Sequence, residues 1–305
     1  MKNEIISLLE KENKIPDKEA DESSIYEIDN LLDIVKELGT NRTPNIDREE
    51  ILKNFDSELF SDNIYVYKEV LSTNTLAKFF AEQGSADNTV IISEKQEKGR
   101  GRSGKKWESP LGGVWLSLIV RPNIEQTKAS LITLATGVAV ANTIRSFGVD
   151  DVEIKWPNDI LINGKKVSGI LTEAVARLNS INYIVIGVGI DANFDKENVS
   201  DNLKEETISL KRATGKKIDE VIIIKRFLKE FETIFKEFEN EKYEDILKEW
   251  RKQSFSIGKY ARITQPFSNC LEGYVVGINK EGALVLELGD GTLEKVISGE
   301  FEARD

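Results

Sequence analysis

Residues 155–173 read Lys-Trp-Pro-Asn-Asp-Ile-Leu-Ile-Asn-Gly-Lys-Lys-Val-Ser-Gly-Ile-Leu-Thr-Glu. The pair Asn163-Gly164 divides this stretch between two apolar runs, Asp159–Ile162 and Lys166–Ala176. Asn-Gly between such runs is the strongest short-range signal for a two-residue hairpin, because both turn positions need a positive φ. An antiparallel pair is therefore expected here. Working outward, Ile64–Val70, Thr89–Ser93, Val114–Val120, Val152–Lys155 and Ile181–Ile190 have the length and composition of further strands.

Helical patterns interrupt these strands. Asn74–Gln83 places Leu76, Phe79 and Phe80 on one face. Gln126–Phe147 is apolar around most of its circumference, the pattern of a buried helix. Lys217–Trp250 carries two more amphipathic helices. The expected class is α+β, with a mainly antiparallel or mixed sheet. From residue 256 the character changes. Tyr260–Gln265, Gly273–Ile278, Ala283–Glu287 and Leu293–Ile297 are short strands punctuated by Gly282, Gly289, Asp290-Gly291 and Gly299, as in a small β-barrel.

Between two of the strands lies Glu94-Lys-Gln-Glu-Lys-Gly-Arg-Gly-Arg-Ser-Gly-Lys-Lys-Trp107. Gly99, Gly101 and Gly104 permit close backbone approach to a ligand. Arg100, Arg102, Lys105 and Lys106 supply guanidinium forks and ammonium groups suited to phosphate or carboxylate. The spacing matches neither a P-loop nor a dinucleotide fingerprint. Taken alone, such a run is as often a flexible linker or a nucleic-acid contact.

Composition narrows the chemistry. The net charge is −11, which argues against broad nucleic-acid binding and makes the positive loop a local exception. The chain has no histidine and one cysteine, Cys270. Histidine-based nucleophilic triads, most zinc sites and an intramolecular disulfide are thereby excluded. No run is long enough to span a membrane, and the Lys- and Glu-rich start lacks an apolar signal core, so a cytoplasmic protein is expected.

Residues 1–60 carry 8 Lys/Arg against 16 Asp/Glu, a net of −8. Apolar spacing suggests short helices around Leu8, around Leu32 and over Asp47–Phe55. This acidic helical segment is expected to be separable from the chemistry, so its removal would spare activity. Three units follow: residues 1–60, residues 61–254 and residues 255–305.

Gln96–Trp107, Ser109–Pro122, Lys155–Asp159 and Lys166–Glu173, with Ser72-Thr73-Asn74 upstream and Gly187-Val-Gly-Ile downstream, resemble the biotin protein ligase family. The resemblance runs in unbroken order over residues 62–305. It implies a class II synthetase-like catalytic domain and an SH3-like C-terminal barrel. It also implies an enzyme that forms biotinyl-5′-AMP from biotin and ATP with Mg2+, then passes biotin to a lysine of a biotin carboxyl carrier domain. In that family the lysine at the position of Lys166 contacts the acyl carboxylate and the α-phosphate. The loop folds over the adenylate, with Gly99 and Gly101 at the biotin, Arg100 on its carboxylate or on phosphate, and Arg102 retaining the intermediate.

The same resemblance assigns Gln96 to the biotin ureido end or the adenylate, and Ser72, Thr73 and Asn74 to the urea oxygen. Those three are equally ordinary helix N-terminal residues, and both roles stand together. Gly112, Gly113 and Gly169 would let the backbone approach biotin. Trp107 is expected to stack on adenine. Asn158 and Asp159 serve the nucleotide or Mg2+, or are turn residues after Pro157; no dedicated protein site for metal is expected. Where relatives have Gly-Ile-Asn, this chain has Gly189-Ile190-Asp191, which puts a carboxylate near the adenosine; Asp191 or Asn193 would meet the ribose.

Two alternatives share these motifs. A lipoate or octanoate ligase would use the same catalytic domain. A biotin-sensing repressor would need residues 1–60 to bind DNA. Leu38–Thr43 is similar to the turn before a recognition helix, but Pro44 and the acidic charge argue against nucleic acid. No membrane partner is expected, and the sequence leaves a homodimer open.

Overall fold

The computed structural model describes residues 45–304 apart from 62, 178–179, 196, 198, 202 and 266–269. The helices expected around Leu8 and Leu32, and the turn at 38–43, lie outside the described residues.

Seven strands form one sheet: β1 (Ile64–Val70), β2 (Thr89–Gln96), β3 (Val114–Val120), β4 (Val152–Lys155), β5 (Asp159–Ile162), β6 (Lys165–Arg177) and β7 (Ser180–Ile190). Their order is β1-β2-β3-β7-β6-β5-β4. β1 runs parallel to β2 and every other pairing is antiparallel, so the sheet is mixed, as expected. Asn163 and Gly164 adopt φ values of 50° and 72°, and Ile162 pairs with Lys165 across them. The hairpin read from Asn-Gly is there for the conformational reason that predicted it.

The sheet buries both faces, and residue alternation decides which side chain goes where. Val90, Ile92, Leu116 and Leu118 face one apolar cluster; Ile91 and Ile119 face another. The first is covered by α1 (Arg48–Leu52), α3 (Ala129–Arg145), α5 (Glu220–Glu239) and α6 (Tyr243–Lys252). The second is covered by α2 (Thr73–Glu82), through Leu76, Ala77 and Ala81. A short α4 (Leu210–Thr214) follows the sheet.

Helix α3 is buried at 12 of its 17 positions. Buried Thr136 and Thr143 satisfy their hydroxyls by donating to the carbonyls of Ile132 and Ala139, each at 2.7 Å. Expected to begin at Gln126, the helix instead starts with a separate 3-10 turn over Gln126–Lys128. Helix α5 is capped by Asp219, which accepts from Val221 N at 2.8 Å. It buries Phe227, Phe231, Phe235 and Phe238 at helical spacing, and Phe231 stacks on Phe235 with ring centroids 5.3 Å apart. Each buried phenylalanine contributes about 1.5–3 kcal/mol relative to exposure.

Residues 46–60 are not an appendage. Ile46, Ile51 and Phe60 are buried in the main core cluster, and Phe60 packs against Phe231. The backbone N–H of Ile46 donates to the buried carboxylate of Glu94 at 2.8 Å. The acidic segment expected to stay separate through residue 60 therefore joins the core from Ile46 onward.

The remaining strands, β8 (Tyr260–Thr264), β9 (Leu271–Ile278), β10 (Leu284–Glu287), β11 (Leu293–Val296) and β12 (Glu300–Ala303), form an antiparallel sheet in the order β11-β10-β9-β8-β12. Four were expected and β12 was not. Its segment Glu-Phe-Glu-Ala buries only Phe301, too little alternation to mark a strand. The two sheets are tied together. Trp156 is buried and donates from Nε1 to Gly282 O at 3.3 Å and from its backbone N to Ser256 Oγ at 3.0 Å. Ser130 Oγ donates to Glu281 O at 2.8 Å.

Candidate active site

A cleft of about 1220 Å³ opens where β2, β5, β6, β7, the start of α2, the Gly/Arg loop and the segment before β12 converge. Its floor is a strip without side chains. Gly169 pairs with Gly189 and Leu171 with Gly187 across β6 and β7. A Cβ on Gly169 would lie 2.9 Å from the Trp107 ring, one on Gly189 would lie 2.6 Å from Trp107 Nε1, and one on Gly187 would overlap the Asn74 amide. The three glycines thus let an indole and an amide lie against bare strand backbone.

Lys166 stands beside this strip. The turn at 163–164 opens β6, whose first two residues both line the cleft: Lys165 pairs with Glu205 at 3.6 Å and Lys166 reaches Asp159. Lys166 Nζ lies 2.7 Å from Asp159 Oδ1 and 4.9 Å from the centroid of the Trp107 ring, within cation–π range. Asp159 Oδ1 is buried and lacks an aligned hydrogen-bond donor despite that proximity, so the pair is held by charge.

The Gly/Arg loop is a closed hairpin. Trp107 N donates to Gly99 O at 2.9 Å, Gly101 N to Lys105 O at 2.7 Å, and Gln96 N to Ser109 O at 3.1 Å. Ser103 and Gly104 turn the chain with φ of 53° and 74°. Three cations fasten the hairpin to other elements. Arg100 Nη2 donates to Glu173 Oε1 at 2.9 Å. Arg102 Nη1 donates to Asn158 Oδ1 at 3.0 Å and to Gly299 O at 3.4 Å. Lys105 Nζ pairs with Glu300 at 2.7 Å. Burial lowers the pKa of Arg102, against the raising effects of Asp159 and Glu300. Burial likewise lowers that of Lys155, which lines the cleft and sits 5.8 Å from the Phe301 ring centroid.

At the start of α2, Ser72 caps the helix by accepting from Thr75 N at 3.5 Å. Thr73 donates to Gln96 Oε1 from N at 2.8 Å and from Oγ1 at 3.1 Å. Gln96 Nε2 donates to Ser109 Oγ at 2.8 Å. Asn74 is buried, with Nδ2 donating to Glu173 Oε2 at 2.9 Å and Oδ1 accepting from Ser117 Oγ at 2.7 Å. At the far wall Asp191 is buried, and burial raises its carboxyl well above the carboxylate range against the pull of Lys166.

Ser72, Thr73, Asn74, Gln96, Arg100, Gly101, Arg102, Trp107, Asn158, Asp159, Lys166, Gly169 and Asp191 all line the one cleft. Four expected contacts do not. Gly99 is closed against Trp107 O and Ser109 Oγ. Gly113 is covered by the Trp115 ring, and Gly112, at φ 90°, turns the chain against Asn193. Asn193 commits its amide to the segment entering α5: Nδ2 donates to Ile218 O at 2.6 Å and Oδ1 accepts from Ile218 N at 2.9 Å. Lys155, Ser117, Glu173, Gly299 and Glu300 were not singled out. Gly299 and Glu300 come from the other sheet, which no local pattern reveals, while Lys155 had a signal in its place beside Trp156-Pro157.

A strand-borne lysine under a cationic hairpin defines a site suited to holding phosphate and carboxylate groups together. Residues 66–191 match the model of the biotin/lipoate A/B protein ligase family, and residues 269–304 match the biotin protein ligase C terminal domain. Two relatives are the bifunctional ligase/repressor BirA proteins of Bacillus spizizenii and Bacillus subtilis. The first is 36% identical over 78% of this chain and 73% of its own length; the second is 35% identical over 83% and 78%. Among solved structures, the biotin protein ligase of Aquifex aeolicus in complex with biotin and ATP is similar at a TM-score of 0.69. It shares 25% identity over 80% of this chain and 99% of that one. The chain belongs to the biotin/lipoate A/B protein ligase family.

Proposed function

We propose that this protein is an ATP-dependent biotin protein ligase. Lys166, Arg100 and Arg102 converging on one cleft over the three-glycine strip is the observation that carries the reading. In the first step a carboxylate oxygen of biotin attacks the α-phosphorus of ATP. The bond from that phosphorus to the bridging oxygen breaks, leaving biotinyl-5′-AMP and pyrophosphate. Lys166 neutralises the charge gathering between carboxylate and phosphate, and Arg100 and Arg102 hold the anhydride. In the second step the ε-amine of a carrier-domain lysine attacks the acyl carbon, its proton passes to solvent, and AMP leaves.

Gln96 and the start of α2 bind the biotin head, with Gly101 and Gly169 lying close to the ligand. Trp107, Asn158, Asp159 and Asp191 serve the nucleotide. Gly99, Gly112, Gly113 and Asn193 support these parts from behind. Asp159, whose carboxylate lines the cleft beside Lys166, would hold Mg2+; no group of three or more metal-binding side chains occurs among the described residues. The ion would supply charge that offsets the triphosphate.

The macromolecular substrate is a biotin carboxyl carrier domain. The catalytic unit is taken as residues 61–254 together with the segment from Ile46, and residues 255–305 complete it. Among the described residues no helix is long and apolar enough to cross a membrane. A cytoplasmic enzyme fits the single free cysteine, Cys270. A repressor activity, named for the relatives, would rest on residues outside those described.

ATP–pyrophosphate exchange with Mg2+ tests the reading, comparing biotin with lipoate and octanoate. Exchange with biotin alone supports it. Exchange with lipoate or octanoate instead replaces it with the sister activity, and exchange with none overturns it.

A further inference from the structure

Glu173 closes the motif that begins at Lys166, yet it is not among the residues that line the cleft and takes no part in the scheme above. It nevertheless touches both the Gly/Arg hairpin and the start of α2. Its Oε1 accepts from Arg100 Nη2 at 2.9 Å and from Lys78 Nζ at 2.5 Å. Its Oε2 accepts from Asn74 Nδ2 at 2.9 Å. Asn74 Oδ1 in turn accepts from Ser117 Oγ at 2.7 Å, and Ser117 Oγ also lies 2.8 Å from Thr73 Oγ1, which reaches Gln96 Oε1 at 3.1 Å. A single hydrogen-bonded chain thus runs from the loop arginine, through one carboxylate, to the residues that surround the biotin head.

We infer that Glu173 is a positioning residue, which tethers the Gly/Arg hairpin to β6 and fixes the amide orientation of Asn74, so that hairpin and floor are set together for the acid substrate. Three features support this. Arg100 reaches Glu173 through Nη2 alone, so its remaining N–H donors stay available to an anion in the cleft that Arg100 lines. Lys78, on α2, shares the carboxylate, so Glu173 keeps a partner whenever Arg100 shifts toward a ligand. The third is geometric: the Asn74 amide lies against Gly187, where a Cβ would overlap it, so its hydrogen-bonded position depends on bare strand backbone. Burial pushes the Glu173 carboxyl up, but hydrogen bonds from Lys78 and Asn74 and the charges of Lys78 and Arg100 outweigh it. The group is therefore ionised at neutral pH.

The inference rests on the proposed ligase reading for its kinetic half only, and the test separates the two. Glu173→Gln, made in the full chain, removes the charge and keeps the shape. In substrate-free protein, tryptic cleavage within residues 98–106 should accelerate about fivefold, because cleavage follows the population of the open hairpin. In pyrophosphate exchange, KM for biotin should rise about tenfold, about 1.4 kcal/mol, with kcat falling less than about threefold. Glu173→Asp retains charge but is too short to reach Asn74 and Arg100 at once, and should give intermediate values. It carries the same test if the neutral variant does not fold. Unchanged cleavage with unchanged KM would overturn the inference, as would equal losses of kcat and thermal stability without a change in KM. If the native protein shows no exchange with biotin, the ligase reading fails, and the cleavage comparison still decides whether Glu173 tethers the hairpin.

Discussion

Lys166 and Asp159 face each other across the β5–β6 hairpin, with Nζ 2.7 Å from Oδ1. Turn geometry, not a flexible loop, aims the lysine, and the carboxylate keeps its ammonium extended in the cleft. Replacing Lys166 with Ala should lower pyrophosphate exchange by about 10²–10³-fold while the melting temperature stays close to the native value. Near-native exchange would remove Lys166 from the chemistry.

Arg102 joins the hairpin to both sheets, at Asn158 Oδ1 and Gly299 O. Arg102→Gly should leave adenylate formation measurable but let biotinyl-AMP escape. The readout is biotin appearing on lysines of an added bystander protein. Labelling confined to the carrier would show that retention lies elsewhere.

Asp191 is buried, and burial raises its pKa well above the usual value. The folded state therefore holds the proton more tightly than the unfolded chain. Its contribution to stability is fully present below the unfolded value of 3.8 and is lost as pH rises toward the folded pKa. Asp191→Asn should raise the melting temperature at pH 8 by roughly 2–4 °C per kcal/mol recovered, and by clearly less near pH 4. A gain independent of pH would contradict this.

Gly189 leaves room for the Trp107 indole, whose Nε1 is buried without a hydrogen-bond partner. Gly189→Ala should displace the ring, cost about 1–3 kcal/mol and weaken ATP binding. Tryptophan emission and thermal melts, compared with a Trp107→Phe background, would report the movement. An unchanged spectrum would mean that the indole has room to spare.

Truncation should depend sharply on where it is made. Removing residues 1–44 should spare ligation. Removing residues 1–60 also takes Ile46, Ile51 and Phe60 from the core, each burial being worth about 1.5–3 kcal/mol. Urea melts of the two truncated chains would show this difference, and equal stability would refute it.

Much of this architecture was legible because the informative signals are local. Asn163-Gly164 specifies its own turn, strand alternation sets faces, and the Phe spacing of α5 marks a buried stripe. The strand at Glu300–Ala303 was not legible, since one buried phenylalanine carries no period. Nor was the role of Glu173, whose partners Lys78 and Asn74 lie 95 and 99 residues away in sequence. Asn193 shows the reverse error. Its place after the last strand suggested a nucleotide contact, but a primary amide also suits an unpaired helix entry, and Ile218 takes it.

The hairpin's link to Gly299 spans 197 residues. During synthesis, Asn158, the nearer acceptor for Arg102, is made with the seven-stranded sheet, whereas the acceptor in the second sheet, Gly299 O, comes almost last. The hairpin is thus fastened first to the sheet that carries Lys166, through Glu173 and Asn158, and only afterwards to the second sheet. The C-terminal sheet therefore acts as a second latch on the hairpin, added by the last strand of the chain to a cleft whose floor is built from residues far earlier in sequence.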